Sequence, residues 1–365
     1  MPVPHKLLSL LIVTAFACIG GTSTITDTSV YTTKGRTEQL DANKIGLIGS
    51  ASSVTFGFRG TTCTVNLDTK DTFVHNNYAV IEVDGQYYSR ETIKPGGTAI
   101  AIKVKQEGSH TITVYKATEA ANGTVIFKGA DGKLFKVKDE KPKKKIEFIG
   151  DSITCGMGND TLAIPCGKGE WYDQHNAYYS YAPIAARAVD ADYVLSSVSG
   201  IGMYRNWNDE HDKEAIMPDV YENLYLNKDN AKPYKFGYNP DVTCIALGTN
   251  DFSLGDGKKA RLPFNEDKYV TNYVNFIQTV YKHAPNTQIV LLTSPMVTGD
   301  KSEKFVKCLN RVKSLVNAKK GHKEVKVFIF KSVIPHGCGS HPEIEDDKLM
   351  AAQLASFLKN VLNEK

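Results

Sequence analysis

No apolar run beyond the first 17 residues approaches the length that crosses a bilayer, so no membrane span is expected. Neither sign of charge dominates. Lys and Arg number 44 against 40 Asp and Glu, leaving +4 spread along 365 residues. That balance gives no reason to expect a nucleic-acid partner. H-E-x-x-H and C-x-x-C are both missing, which removes the commonest zinc frameworks. G-x-S-x-G is missing too, so an α/β-hydrolase elbow is not the source of any reactive serine. Internal repeats and low-complexity segments are absent. Tryptophan is scarce, with only Trp171 and Trp207.

The N-terminus carries a processing signal. Lys6 precedes about ten apolar residues, and Ala15-Phe16-Ala17 forms an A-x-A cleavage site. Residues 1–17 are therefore expected to be a signal peptide, and the mature chain to be secreted, periplasmic or on the cell surface. Cys18 follows at once and is a candidate lipid anchor in a bacterial host; an ordinary signal peptide is the plainer reading. Export permits disulfides. Cys155 and Cys166 flank one loop and are the expected pair, while Cys244 sits in an apolar stretch and reads as a buried thiol.

Two domains are expected from the length and from a change of pattern. Residues 25–140 read as short strands with glycine-rich turns. Val54–Phe58 alternates, and Tyr78–Val83 runs through Asp84-Gly85 into a second strand as a hairpin. His110–Tyr115 and Thr124–Phe127 add two more, and a β-sandwich is predicted. The basic cluster Lys141–Lys145 reads as a solvated linker rather than a localisation signal. From 146 to 365, apolar strands alternate with helical segments. The strands are Ile146–Ile149, Tyr193–Ser197, Val242–Leu247, Ile289–Leu292 and Val325–Phe330. Tyr269, Val270, Tyr273, Ile277, Val280 and Tyr281 recur at helical spacing, as do Leu349, Met350, Leu354, Phe357, Leu358 and Val361. A parallel sheet covered by helices on both faces follows. In such a sheet a ligand sits beyond the carboxyl ends of the strands.

Four chemically suggestive segments lie at those ends. They are Gly150-Asp151-Ser152, Ser199-Gly200, Gly248-Thr249-Asn250-Asp251 and, before the last helix, Gly339-Ser340-His341-Pro342. Acyl transfer needs a hydroxyl, a base that takes its proton, and donors aimed at the oxyanion. Ser152 supplies the hydroxyl and a backbone N–H. Gly200 offers a second N–H, the Asn250 amide a third donor, and His341 the base. Each block alone is weak, because Gly-Asp-Ser is a common turn and His-Pro a common cap.

In this order the blocks resemble the SGNH (GDSL-like) hydrolase superfamily, whose defining residues would be Ser152, Gly200, Asn250 and His341. The longer stretches GDSITCGMGN, HNAYYSYAPIAAR, SGIGMYRNW, LGTNDFSLG and GSHTITVYKATEAANGTVIFKG are similar to carbohydrate esterase family 2. That resemblance implies a jelly-roll sandwich followed by a three-layer α/β SGNH domain. It also implies removal of O-acetyl groups from plant cell-wall polysaccharides or oligosaccharides such as xylan or glucomannan. No cofactor is expected, and the expected partner is the acetylated saccharide.

Many members of the superfamily carry an aspartate two or three residues before the histidine; here Gly339 and Cys338 stand there. Some members of the esterase family work as a Ser-His dyad in which a backbone carbonyl accepts the histidine N–H, and the resemblance implies that arrangement here. Glu343, Glu345, Asp346 and Asp347 read as solvated carboxylates favourable to the helix dipole. Trp171, Tyr204 and Trp207 are candidates to line a sugar site. His336, Cys338 and His341 form a weak alternative metal set. A non-catalytic carbohydrate-binding protein, or a lipase or thioesterase on the same scaffold, are the other readings.

Overall fold

The protein is described here by a computed structural model covering residues 30–364 except 71, 72, 74, 139–142 and 229–231. The expected signal peptide, Cys18 and the Lys141-Pro142 part of the basic cluster lie outside those residues. No described helix is long and apolar enough to cross a membrane.

The first domain is antiparallel. Its strands are β1 (Thr32–Lys34), β2 (Thr37–Asp41), β3 (Lys44–Leu47), β4 (Ser53–Lys70) and β5 (Asn77–Val83). They continue with β6 (Gln86–Ile93), β7 (Thr98–Lys103), β8 (Ser109–Lys116) and β9 (Thr124–Phe135). β4 organises them. Its first half pairs β8 and its second half pairs β7, while β9 follows along both halves. Period-2 alternation buries Val54, Phe56 and Phe58 from the first half, and Cys63, Val65 and Leu67 from the second. Both sets join one apolar cluster. The sheet must therefore fold over on itself between them, where Gly60 takes φ +120°. The Asp84-Gly85 hairpin forms as expected between β5 and β6.

The second domain holds five parallel strands in the order β11-β10-β12-β13-β14. They are β10 (Lys145–Gly150), β11 (Asp192–Ser197), β12 (Val242–Ala246), β13 (Gln288–Leu292) and β14 (Lys326–Phe328). Alternate residues serve opposite faces. Ile289 and Leu291 of β13 enter a cluster with α5 (Glu266–His283) and α6 (Asp300–Asn317). Val290 and Leu292 enter another with α2 (Tyr181–Ala188) and α7 (Ile344–Asn363). Three layers result. Each fully buried aliphatic or aromatic side chain in them contributes about 1.5–3 kcal/mol. Leu349, read above as core, is the exception and is exposed.

Polar side chains join the two domains. Arg36 is buried against Tyr234, and its guanidinium donates to Ser196 Oγ, Tyr221 O and Asn223 O. Arg90 donates to the carbonyls of Asp173 and His175. Tyr178 Oη donates to Glu82. The first domain thus fastens the loops on which the second presents its strand ends.

Candidate active site

Ser152 opens the short helix α1 (Ser152–Cys155) directly after β10. Asp151 caps it, its carboxylate accepting from Ile153 N at 3.1 Å. The turn is tight: a Cβ on Gly150 would meet Thr154 Oγ1 at 2.1 Å. Gly156, at φ +71°, ends the helix in the left-handed region that glycine favours.

His341 reaches Ser152 from the other end of the domain. Its Nε2 lies 2.8 Å from Ser152 Oγ, across 189 residues of sequence. Its Nδ1 lies 3.0 Å from the carbonyl oxygen of Gly339. A carbonyl can only accept, so Nδ1 carries the proton and Nε2 presents its lone pair to the serine hydroxyl. Gly339 and Ser340 both take left-handed φ, +63° and +61°, and this turn folds the Gly339 carbonyl back onto the ring. Burial pulls the imidazole below its ordinary range, and the Gly339 and Cys338 carbonyls partly oppose that. Both ring nitrogens are engaged, and neither partner is a carboxylate.

The acids after His341 are not all solvated, which corrects the expectation for two of them. Asp346 and Asp347 are buried. Asp346 accepts from Glu343 N and His336 N, closing the α7 cap. Asp347 accepts from Tyr181 N at 2.9 Å and Asn159 Nδ2 at 3.0 Å, tying α7 to α2. These acids hold backbone because α7 docks on α2 through its first turn rather than facing water.

Gly200 follows β11 at φ +76°, and Asn250 follows β12 in α4 (Thr249–Phe252). The Asn250 amide donates one hydrogen to Ile201 O at 2.8 Å, which leaves the other available. Asp251, next to Asn250, is buried. Its carboxylate accepts from the backbone of Met203, Tyr204 and Arg205, at 2.8–3.2 Å. Burial pushes its pKa up to about 6 against those three bonds. Asp251 therefore locks the loop after Gly200 to the loop bearing Asn250. An acid adjoining Asn250 in a glycine-led loop was the available signal.

Ser152, Gly200, Asn250 and His341 line one cavity of ≈ 770 Å³. Trp171 and Trp207 line it as well, 41% and 46% exposed. Tyr204 does not, which corrects that expectation. It is buried against Phe264, and its hydroxyl accepts from Asn265 N. The remaining wall is largely apolar, with Met157, Phe252, Leu254, Met296 and Val297.

The disulfide joins Cys166 to Cys338, not Cys155 to Cys166. Cys155 is buried in α1, where its thiol donates to Ser197 Oγ. The loop carrying Cys166 turns away from it and packs on the histidine loop, where Cys338 N donates to Gly158 O at 2.9 Å. The same disulfide removes Cys338 from the alternative metal set, and His341 is committed to Ser152. His336 pairs instead with Asp346 at 2.9 Å. His336, Glu343 and Asp346 could together approach a cation, their ligand atoms lying within 4.8 Å of one another. Cys244 and Cys308 are buried thiols. Because the bond closes a loop spanning 172 residues, replacing both cysteines by serine should cost about 2–4 kcal/mol. Denaturant unfolding of wild type and the double variant, with and without reductant, measures it; equal midpoints in oxidised samples would refute the bond.

Comparison with known proteins accords with this architecture. Residues 33–137 match the carbohydrate esterase 2 N-terminal model, and residues 148–341 match the GDSL-like lipase/acylhydrolase family. An acetylxylan esterase / glucomannan deacetylase from Cellvibrio japonicus is 32% identical over 272 residues, 73% of each chain. The cellulase/esterase CelE of Acetivibrio thermocellus is 32% identical over 90% of this chain but only 39% of its own length. A family two carbohydrate esterase from Clostridium thermocellum, solved with cellohexaose, superposes with a TM-score of 0.77 at 29% identity. That match covers 91% of this chain and 99% of the other. With its antiparallel N-terminal domain, its GDSL-like α/β domain and these relatives, the chain belongs to carbohydrate esterase family 2 and is a carboxylic ester hydrolase.

Proposed function

We propose that this protein removes O-acetyl groups from plant cell-wall polysaccharides or their oligosaccharides, with acetylated xylan and glucomannan as the candidate substrates. The observation that carries the reading is the 2.8 Å contact between Ser152 Oγ and His341 Nε2 in a cavity that Gly200 and Asn250 share. Ser152 attacks the acetyl carbonyl while His341 takes its proton. Gly339 O holds the Nδ1–H and so fixes the tautomer throughout. The Ser152 and Gly200 N–H groups and the free Asn250 amide hydrogen stabilise the oxyanion. His341 then returns the proton to the departing sugar oxygen, which leaves as a hydroxyl as its bond to the acetyl carbon breaks. Water repeats the sequence on the acetyl-enzyme, releasing acetate and restoring Ser152. Trp171 and Trp207 offer ring faces to the sugar. The names of the relatives support the saccharide and the acetyl group. The N-terminal signal read from the sequence supports action outside the cytoplasm.

The apolar wall supports one competing reading, an esterase for longer acyl chains. The test is acetate release from acetylated xylan, glucomannan and aryl acetates, set beside a series of aryl esters from acetyl to octanoyl. We expect acetate release from at least one polysaccharide and a steep fall in rate beyond acetyl. A rate that rises with chain length and no release from either polysaccharide would overturn the reading.

A further inference from the structure

Glu119 belongs to the first domain, in the connection between β8 and β9, yet it reaches the second domain's strand ends. Its side chain is fully buried. Oε2 accepts from the backbone N–H of Ser199 at 2.7 Å. Ser199 immediately precedes Gly200, and both line the cavity. Its other oxygen, Oε1, is buried without a hydrogen-bond partner among the described residues. One side chain from the first domain therefore holds the segment that leads into Gly200.

The turn at Gly200 needs such an anchor. Glycine at φ +76° has no side chain to hold it. Downstream the turn is secured: Trp207 N donates to Gly200 O, and Asp251 takes the next amides. Upstream, β11 ends at Ser197, Val198 N donates to Gly150 O at 3.3 Å, and the bond from Ser199 to Glu119 ties the turn to the neighbouring domain. Glu119 is itself well placed. The buried Lys116 ammonium donates to its carbonyl, and its N–H donates to Asn122 Oδ1.

We propose that Glu119 is a positioning residue for ester hydrolysis, holding the Ser199–Gly200 turn so that the Gly200 N–H faces the developing oxyanion. The first domain is then part of the catalytic apparatus rather than an appended module. The inference rests on the role proposed above for Ser152 and Gly200. Burial raises the pKa of Glu119, which favours the neutral acid. A glutamine matches that acid in shape and keeps an acceptor for Ser199, whereas an aspartate falls one methylene short.

The test uses the full chain and an aryl acetate. Glu119→Ala and Glu119→Asp should each lower kcat by roughly 10- to 100-fold with KM unchanged, the scale of a misplaced reacting group. Glu119→Gln should stay within about threefold of wild type, by the same geometric argument. A structural role alone would move stability without this kcat-only loss and its rescue. Wild-type kcat in Glu119→Asp, or a Gln variant as slow as the Asp variant, would overturn the proposal, and this pair decides even if the Ala variant does not fold. The Ser152→Ala control separates the two ideas. If that control is as active as wild type, the reading of Ser152 fails. If it is inactive while Glu119→Asp is unimpaired, only the role of Glu119 fails.

Discussion

Ser152→Ala should lower turnover of acetyl esters by roughly 10⁴- to 10⁶-fold, the range seen when a nucleophile of this kind is removed. The size follows from what is lost. In the proposed mechanism His341 Nε2, 2.8 Å away, acts through this hydroxyl, and no covalent acetyl intermediate can form without it. The variant should fold normally. The side chain is 4% exposed, and alanine occupies less of the same space. The helix is capped by Asp151 rather than by Ser152. Acetate release and the thermal midpoint, measured on the same preparations, check both halves. Activity equal to wild type in the folded variant would refute the mechanism outright.

His341→Ala should cost a similar factor, roughly 10⁴ or more, and the double variant with Ser152→Ala should lose little beyond either single change. Residues that act as one unit are not additive. A multiplicative double loss would mean that the two residues do not share a step. The pH profile gives an independent check. His341 must be neutral to accept the proton, and burial holds its pKa below the ordinary histidine value of 6.5. The active form therefore persists to more acid pH than an exposed histidine would allow. The acid limb of kcat/KM should have its midpoint below 6.5. A midpoint above that value would require a nearby carboxylate to stabilise the imidazolium, in conflict with the Gly339 carbonyl at Nδ1.

Much of the candidate site was legible because its parts are local. Each of the four blocks is a strand end or a helix start, and each shows its glycine, serine, asparagine or histidine in a run of a few residues. The five parallel strands were readable for the same reason, since an apolar run buried on both faces is a local pattern. Tyr204 was misread because an aromatic in a loop looks alike whether it faces sugar or Phe264. Asp346 and Asp347 were misread because charge at a helix start usually faces water. Here two backbone amides and an asparagine come to meet Asp347 or its neighbour from other elements.

The order of elements, the change from antiparallel to parallel sheet, and the choice of Ser152, Gly200, Asn250 and His341 as candidates that share one cavity could be had from residue pattern and resemblance. Those depend on side-chain type and short-range periodicity. Which groups meet across the fold could not. The Cys166–Cys338 bond spans 172 residues, and the Ser152–His341 contact spans 189. The link from Glu119 to Ser199 crosses a domain boundary. Such pairings are set by how the sheet stacks its strand ends and where the first domain docks. Packing decides them, because a buried polar group must find its partner wherever the chain brings one within reach.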